Sequence, residues 1–168
     1  MWNGIVFGVY GPSDSGKTTL IVKLVTQLSK EGYRVATVKC TDKSVSLDTK
    51  GKDTWRHMQA GSEATALSSA DSIMIVKKKT ASDDLNEILK FFDNDYDLII
   101  VEGYKESDLP KIEVHRKEKG SPLSNLTELL AVATDERLET EVPQISLDDI
   151  KAITDIIEKE VNRQKSNH

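Results

Sequence analysis

Residues 11–18, GPSDSGKT, have the spacing of a loop that wraps phosphates: glycine, four residues, glycine, lysine and a hydroxyl residue. Glycines let successive backbone N–H groups turn toward an oxyanion, and a helix that starts behind them adds its positive end. Lys17 can reach the β- and γ-phosphates of a nucleotide, and the hydroxyl of Thr18 can hold Mg²⁺. The pattern predicts a P-loop whose nucleotide contacts are Gly11, Ser13, Asp14, Ser15, Gly16, Lys17, Thr18 and Thr19.

Asp14 is an unexpected residue in such a loop, because a carboxylate close to a triphosphate is repelled. Two arrangements avoid this cost. In one, Asp14 points to solvent or caps a neighbouring N–H group. In the other, it helps to hold a cation that bridges the phosphates. The sequence leaves both arrangements open.

A second acid is needed to hold the magnesium ion of a nucleotide site. The run DLIIVEG, residues 97–103, is an apolar strand that leads to Glu102. Ligands of open α/β sheets bind at the carboxyl ends of the strands, so we expect Glu102 to face the metal together with Thr18. Asp53, in a polar loop segment, is a further candidate for the metal.

The elements around these residues alternate between strands and helices. Strand 5–10, amphipathic helix 16–31 and strand 33–39 form a βαβ unit. The later elements are expected as a short helix from 53 or 54 to 60, strands 64–69 and 72–77, a helix over 83–92, strands 97–101, 111–116, 129–133 and 143–145, and a last helix from Ser146 with Asp149 in a capping box. This order predicts an α/β fold with a mostly parallel central sheet flanked by helices, in one nucleotide-binding domain over 1–168 with a frayed tail from about 162.

The composition is that of an ordinary folded protein, with 38% hydrophobic and 30% charged residues among 168. The net charge of −5 argues against nucleic-acid binding through bulk positive charge. Cys40 is the only cysteine, which excludes an intrachain disulfide and suits a reducing cytoplasm. No apolar run reaches membrane-spanning length, and the first residues read as a strand and not as a signal peptide. We expect a cytoplasmic protein without nucleic-acid or membrane partners.

Taken together, these motifs resemble the MobB family, the GTP-binding accessory proteins of molybdopterin guanine dinucleotide synthesis. The resemblance covers nearly the whole chain and rests on GPSDSGKTTL, VATVK, GKDTWRHMQAG, DLIIVEGYKESDLPKIEVHR and AVATD. It implies a homodimeric P-loop NTPase that binds GTP with Mg²⁺ and hydrolyses it slowly at most. It also implies a partner, the MobA guanylyltransferase, which joins GMP to molybdopterin. It assigns no catalytic residue.

The resemblance implies roles for residues outside the glycine loop. Arg56 and His57, like Asp53, fall in a family loop segment that would face the γ-phosphate, the pterin or the partner. Lys105 and Lys111 follow the VEG strand and are further candidates for contacts with the partner or with molybdopterin. Asp135, after AVAT, would accept hydrogen bonds from guanine.

The chain departs from the family after VATVK, where members commonly carry a histidine-rich stretch. Here the segment reads CTDKSVSLD, with Cys40 in the first histidine position. His115 is expected on the exposed polar face of an alternating strand. With His57, His115 and His168 as the only histidines, a three-histidine zinc site within one chain is excluded.

Two other functions fit the same P-loop. A small-molecule kinase would need arginines on a lid over the γ-phosphate, and the arginines at 34, 56, 116 and 137 form no cluster in sequence. A GTP-driven metallochaperone would need a histidine cluster or a cysteine pair, which the sequence lacks. Both functions remain as alternatives to the accessory GTP-binding protein.

Overall fold

Helices and strands alternate along most of the chain, as the sequence predicts. The computed structural model describes residues 5–80, 84–92, 95–104, 107–122 and 126–166, without the side chain of residue 165. The strands are β1 Ile5–Tyr10, β2 Val35–Lys39, β3 Ala64–Ser68, β4 Ile73–Lys77, β5 Leu98–Glu102, β6 Lys111–His115, β7 Leu129–Thr134 and β8 Gln144–Ser146. The α-helices are α1 Lys17–Lys30, α2 Asp53–Gln59, α3 Leu85–Leu89 and α4 Ile150–Ser166.

The chain forms two compact units. The larger unit consists of Met1–Cys40 and Lys90–His168, and the smaller unit is the intervening segment Thr41–Leu89. Each unit has its own sheet. The single domain expected over 1–168 stays a prediction.

The larger unit contains a six-stranded sheet in the order β2-β5-β1-β6-β7-β8, and every neighbouring pair is parallel. This confirms the predicted α/β class. Leu98–Val101 is completely buried. Because both faces of this strand are covered, its sequence is apolar at every position and does not alternate. Because β1 lies between β5 and β6, the loops that follow these three strands meet at one edge of the sheet.

Helices α1 and α4 pack on one face of this sheet and close its core. Helix α1 places apolar residues four apart on its buried side, which is the spacing of one helical face. Helix α4 does the same with isoleucines and a valine. The core formed with β1, β5, β6 and β7 includes Phe7, Leu20, Leu24, Leu28, Ile100, Ile112, Val114, Ile153, Ile157 and Val161.

Strand β6 differs from the expectation of one buried and one exposed face. Lys111, Glu113 and His115 are each at most 1% exposed, although they alternate with the core residues Ile112 and Val114. The expected exposure of His115 is therefore wrong. The physical reason is that this second face is covered as well: Lys111 lies against the Tyr10 ring, and His115 contacts Glu136. Nε2 of His115 forms a hydrogen bond with Oε1 of Glu136, 2.8 Å away.

Helix α4 begins later than the sequence suggested. Ser146 is the last residue of β8, and Asp149 caps the helix itself by accepting the N–H of Ala152 at Oδ1, 3.1 Å away. The predicted capping box with Ser146 is wrong. At the other end the helix continues to Ser166, so residues 162–166 are helical. Helix α3 is shorter than expected, although residues 81–83 of that region lie outside the described ranges.

The smaller unit is built around an antiparallel pair, β3 with β4, in which Ala66 lies opposite Ile75. Ser69, Asp71 and Ser72 close the turn between the strands through side-chain hydrogen bonds. Lys52 is the N-cap of α2, and the helix begins at Asp53, one of the two expected starts. No helix within the described ranges combines the length and the apolar character that crossing a membrane requires.

Replacing Leu24 by alanine tests the packing of α1 on the sheet. Leu24 is 0% exposed, so Leu24→Ala should lower the free energy of unfolding by about 2–5 kcal/mol. The matched control is Val22→Ala on the same helix, which is 59% exposed and should change stability by less than about 0.5 kcal/mol. Urea unfolding followed by circular dichroism measures both. Equal losses for the two variants would contradict the described packing.

Candidate functional site

The glycine loop, residues 11–16, connects β1 to α1 and requires both of its motif glycines. Gly11 has φ 151° and Gly16 has φ 98°, values that residues other than glycine rarely adopt. A Cβ atom on Gly11 would lie 2.3 Å from the carbonyl oxygen of Val114, so a larger residue would push the loop away from β6. Gly16 is the N-cap of α1, and no side chain in the described part of the chain caps this helix end.

Asp14 adopts a left-handed conformation, with φ 59°. Aspartate and asparagine tolerate this region better than other non-glycine residues, because their short polar side chains form local hydrogen bonds. The residue is exposed. The backbone thus gives a reason for aspartate in the loop that is independent of any ligand, and its exposure favours the arrangement in which the carboxylate points to solvent.

The ammonium group of Lys17 lies over its own loop. Nζ donates to the carbonyl oxygens of Gly11 at 3.0 Å and Pro12 at 2.6 Å. Burial lowers the pKa of Lys17, while the nearby carboxylate of Glu102 acts in the opposite direction. The side chain is held where the motif predicts it, at the centre of the loop.

Thr18 and Glu102 meet at the edge of the sheet, although 84 residues separate them in sequence. The hydroxyl of Thr18 lies 3.4 Å from Oε1 and 3.3 Å from Oε2 of Glu102, which is longer than an ordinary hydroxyl–carboxylate bond. Glu102 is the last residue of β5, in register with Val9 of β1 and Lys39 of β2. Lys39 Nζ lies 3.2 Å from Oε1, so a cation balances this carboxylate.

The other loop residues have different surroundings. Ser13 and Thr19 are exposed, on the loop and in the first turn of α1 respectively. Ser15 is completely buried, so its side chain faces the interior of the protein. Its carbonyl oxygen accepts a hydrogen bond from Nε of Arg116 at 3.0 Å.

Arg116 links the glycine loop to Asp135. Its Nη1 lies 3.3 Å from Oδ2 of Asp135, and Oδ1 of the same carboxylate accepts the N–H of Lys117 at 2.9 Å. The Lys117 N–H, together with the charge of Arg116, lowers the pKa of Asp135. No sequence motif predicted Arg116. Its position directly after β6, at the same edge as Asp135 after β7, is the signal that could have found it.

Lys111 is buried and holds the segment that follows β5. Its Nζ donates to the carbonyl oxygen of Ser107 at 2.5 Å and lies 5.3 Å from the centre of the Tyr10 ring. The Tyr10 hydroxyl donates to the carbonyl oxygen of Tyr104 at 2.8 Å and lies 3.0 Å from Oγ of Ser107. Burial lowers the pKa of Lys111. Lys111 therefore has an internal role, which does not fit the predicted contact with a partner or pterin; Lys105 lies outside the described residues.

The remaining candidates lie in the smaller unit, on α2. Asp53 is its first residue, and Arg56 and His57 are in its last turn. All three are exposed, whereas Thr54 between them is buried. Asp53 sits where a negative charge favours a helix N-terminus. The structure thus gives Asp53 a local role in the helix and leaves the basic pair accessible.

Within the described ranges, no three His, Cys, Asp or Glu side chains come together as a metal site. Thr18 and Glu102 supply hard oxygen donors of the kind that Mg²⁺ uses when phosphate and water complete its shell. The donor set therefore fits magnesium held jointly with a phosphate ligand.

Comparison with known proteins identifies the family. The model for MobB, molybdopterin guanine dinucleotide synthesis protein B, matches residues 6–135. The chain belongs to the MobB family. A molybdopterin-guanine dinucleotide biosynthesis adapter protein of Haemophilus influenzae is 36% identical over 155 residues, covering 91% of this chain and 87% of the relative. Its Escherichia coli counterpart is 28% identical over 160 residues, covering 90% of each chain.

Solved MobB structures share the fold. The crystal structure of a MobB homologue from Bacillus stearothermophilus has a TM-score of 0.72 and 29% identity, over 94% of this chain and 98% of that one. A crystal structure of molybdopterin-guanine biosynthesis protein B gives a TM-score of 0.76 and 27% identity, over 94% and 99%. The resemblance drawn from the motifs is confirmed, as is the P-loop NTPase-like MobB fold.

Removing Arg116 should loosen the glycine loop without any ligand present. Arg116→Ala leaves the carbonyl of Ser15 without the Nε donor, so amide hydrogen exchange in residues 11–20 should become faster. Exchange measured by mass spectrometry checks this. The matched control is Arg137→Ala, an exposed arginine in a nearby connection, which should leave the loop unchanged. Unaltered exchange in Arg116→Ala would show that the loop does not depend on this contact.

Proposed function

We propose that this protein is a GTP-binding adapter in molybdenum cofactor biosynthesis. Membership in the MobB family and relatives named as molybdopterin-guanine dinucleotide biosynthesis adapter proteins support this role. In the proposal, GTP with Mg²⁺ binds at the glycine loop, and the loaded protein assists a MobA-type guanylyltransferase that attaches GMP to molybdopterin. The protein acts as a homodimer in the cytoplasm.

The meeting of Thr18 with Glu102 is the observation that carries the proposal. The motif spacing alone places Thr18 directly after the loop, whereas the fold must bring Glu102 to it from β5. The two groups lie 3.3–3.4 Å apart, and Lys39 and Lys17 balance the negative charge of Glu102. When bound, the magnesium ion would neutralise phosphate charge and polarise the phosphoryl group.

The chain's own residues supply the rest of the phosphate site. Helix α1 has 14 residues and directs its uncapped, positive N-terminus at the loop. The ammonium of Lys17 would exchange the carbonyl oxygens of Gly11 and Pro12 for phosphate oxygens. This exchange replaces neutral acceptors by charged ones, which strengthens the hydrogen bonds that Lys17 makes.

Slow hydrolysis at most is consistent with the carboxylates near the loop. Glu102 is engaged by Thr18 and Lys39, which suits a metal-holding role more than that of a general base. Asp14 is exposed. The proposed activity is therefore GTP binding, with hydrolysis that is slow at most.

Asp135 remains the proposed acceptor for guanine. Its carboxylate already accepts from the N–H of Lys117 and from Arg116, one contact at each oxygen. A carboxylate offers about four lone-pair sites, so two remain for the N1 and N2 groups of guanine. Arg56 and His57 on α2, together with Lys105, are the proposed contacts for the partner or for molybdopterin.

Calorimetry of the purified protein with GTP and ATP analogues, with and without Mg²⁺, tests nucleotide binding. We expect tighter binding of the GTP analogue and a dependence on Mg²⁺. Lys17→Ala and Glu102→Gln should each weaken binding by about tenfold or more, because each removes a charged contact to phosphate or metal.

Lys30→Ala and Glu31→Gln are matched controls, since both residues are exposed at the far end of α1 and should leave the affinity unchanged. Tighter binding of the ATP analogue would favour the small-molecule kinase instead. Equal affinities with and without Mg²⁺ would remove the role proposed for Thr18 and Glu102.

A further inference from the structure

Arg116 contacts two parts of the proposed nucleotide site that are distant in sequence. Its Nε donates to the carbonyl oxygen of Ser15, 3.0 Å away, and its Nη1 lies 3.3 Å from Oδ2 of Asp135. Nη2 and Nε also lie beside the last glycine of the loop, 3.5 and 3.6 Å from the position that a Cβ atom on Gly16 would take. One rigid, planar guanidinium group therefore lies between the phosphate loop and the proposed guanine acceptor.

The guanidinium group lies where the field of a helix disfavours a cation. Gly16 is the N-cap of α1, whose 14 residues direct their positive end toward this point. The carboxylate of Asp135 offsets part of the repulsion on Arg116. A phosphate on the loop would add negative charge that both the helix end and the guanidinium group attract. The arrangement therefore becomes more favourable when an anion occupies the loop.

The carboxylate of Asp135 is anchored at both oxygens and is still accessible. The N–H of Lys117 donates to Oδ1 at 2.9 Å, and Arg116 holds Oδ2. The side chains of Arg116 and Asp135 are 37% and 38% exposed, so a ligand can reach both. Two anchors from the end of β6 fix the plane of the carboxylate and the direction of its remaining lone pairs. An acceptor held in this way loses little conformational freedom when it binds a ligand.

The sheet order sets how far this acceptor lies from the phosphate loop. Strands β6 and β7 lie on the side of β1 opposite to β5, which carries Glu102. Neighbouring strands are about 4.8 Å apart, so the end of β7 lies about 10 Å from the end of β1 across the sheet. A nucleoside has to span this separation if its phosphates occupy the loop and its base reaches Asp135. Arg116, which is attached to Ser15 and to Asp135, bridges the same separation.

We propose that Arg116 is a positioning residue that determines base specificity. It fixes the Asp135 carboxylate relative to the glycine loop, so that a base meets this carboxylate with its donors aligned while the phosphates occupy the loop. The inference rests on the proposed function, because it deepens the role of Asp135 as the acceptor for guanine. The base that fits has two adjacent N–H donors, as N1 and N2 of guanine provide. Adenine has an acceptor at N1 and hypoxanthine lacks the 2-amino group, so both should bind less tightly.

Calorimetry with four ligands separates base recognition from phosphate binding. The ligands are non-hydrolysable analogues of guanosine, inosine and adenosine triphosphate, and inorganic triphosphate, each with Mg²⁺. We expect the unmodified protein to bind the guanosine analogue about tenfold or more tightly than the adenosine analogue, with the inosine analogue between them. Equal affinities for the guanosine and adenosine analogues would overturn the proposal. Inorganic triphosphate has no base and therefore reports on the glycine loop alone.

Arg116→Lys keeps the positive charge but replaces the planar group by a single ammonium, which cannot hold Ser15 and Asp135 in the same geometry. The preference for guanosine over adenosine should fall to about threefold or less, while the affinity for inorganic triphosphate changes by about twofold at most. The matched control is Arg137→Lys, an exposed arginine after β7, which should leave both quantities unchanged. Equal losses of affinity for the guanosine analogue and inorganic triphosphate would mean that Arg116 only supports the loop, and would overturn the proposal.

A double-mutant cycle with Asp135→Asn tests whether Arg116 acts through this carboxylate. Asparagine presents an N–H donor in place of one carboxylate oxygen, so Asp135→Asn alone should remove the preference for guanosine. Arg116→Lys should then have no further effect on that preference. The same effect of Arg116→Lys in the presence and in the absence of Asp135 would contradict the proposal.

The same titrations distinguish failure of this inference from failure of the proposed function. If the guanosine analogue binds with Mg²⁺ and its preference over adenosine is unchanged in Arg116→Lys, the role of Arg116 is overturned and GTP binding stands. If the unmodified protein binds none of the four ligands, both proposals are overturned.

Discussion

Strand β6 supports the glycine loop through a close backbone contact. The carbonyl of Val114 approaches Gly11 so closely that a Cβ atom there would lie 2.3 Å away, and Arg116, one residue after the strand, holds the carbonyl of Ser15. The first and penultimate positions of the loop are thus attached to one strand. The conformation that exposes N–H groups to an anion depends on this attachment as well as on the glycines themselves.

The same strand also organises the segment that follows β5. Lys111, at the start of β6, contacts the ring of Tyr10 and the carbonyl of Ser107, and Tyr10 contacts Tyr104. Tyr10 is the last residue before the glycine loop. The loop after β1 and the segment after Glu102 are therefore held by neighbouring contacts. A displacement of one would shift the residues that hold the other.

The parts of the site that depend on short sequence motifs could be predicted from the sequence. The glycines at 11 and 16, Lys17, Thr18 and Glu102 follow from motif spacing and from an acid at a strand end, and the structure brings these side chains together. The burial of Lys111, Glu113 and His115 could not be predicted in this way, because the residues that cover this face, such as Tyr10 at Lys111 and Glu136 at His115, are distant in sequence. Lys39 and Arg116 were missed for the same reason: their partners lie 63 and 101 residues away. At the start of α4, Ser146 and Asp149 are both good caps, and only the end of β8 decides between them.

The sheet order has a consequence for synthesis of the chain on the ribosome. Strand β5 lies between β1 and β2, so these two earlier strands are not neighbours and leave a gap for a strand that is synthesised about sixty residues after β2. Until then both strands expose edges that can pair with other chains. The whole of the smaller unit is made during this interval. After its glycine loop is complete and before Glu102 has been added, the nascent protein therefore exposes strand edges that can mispair.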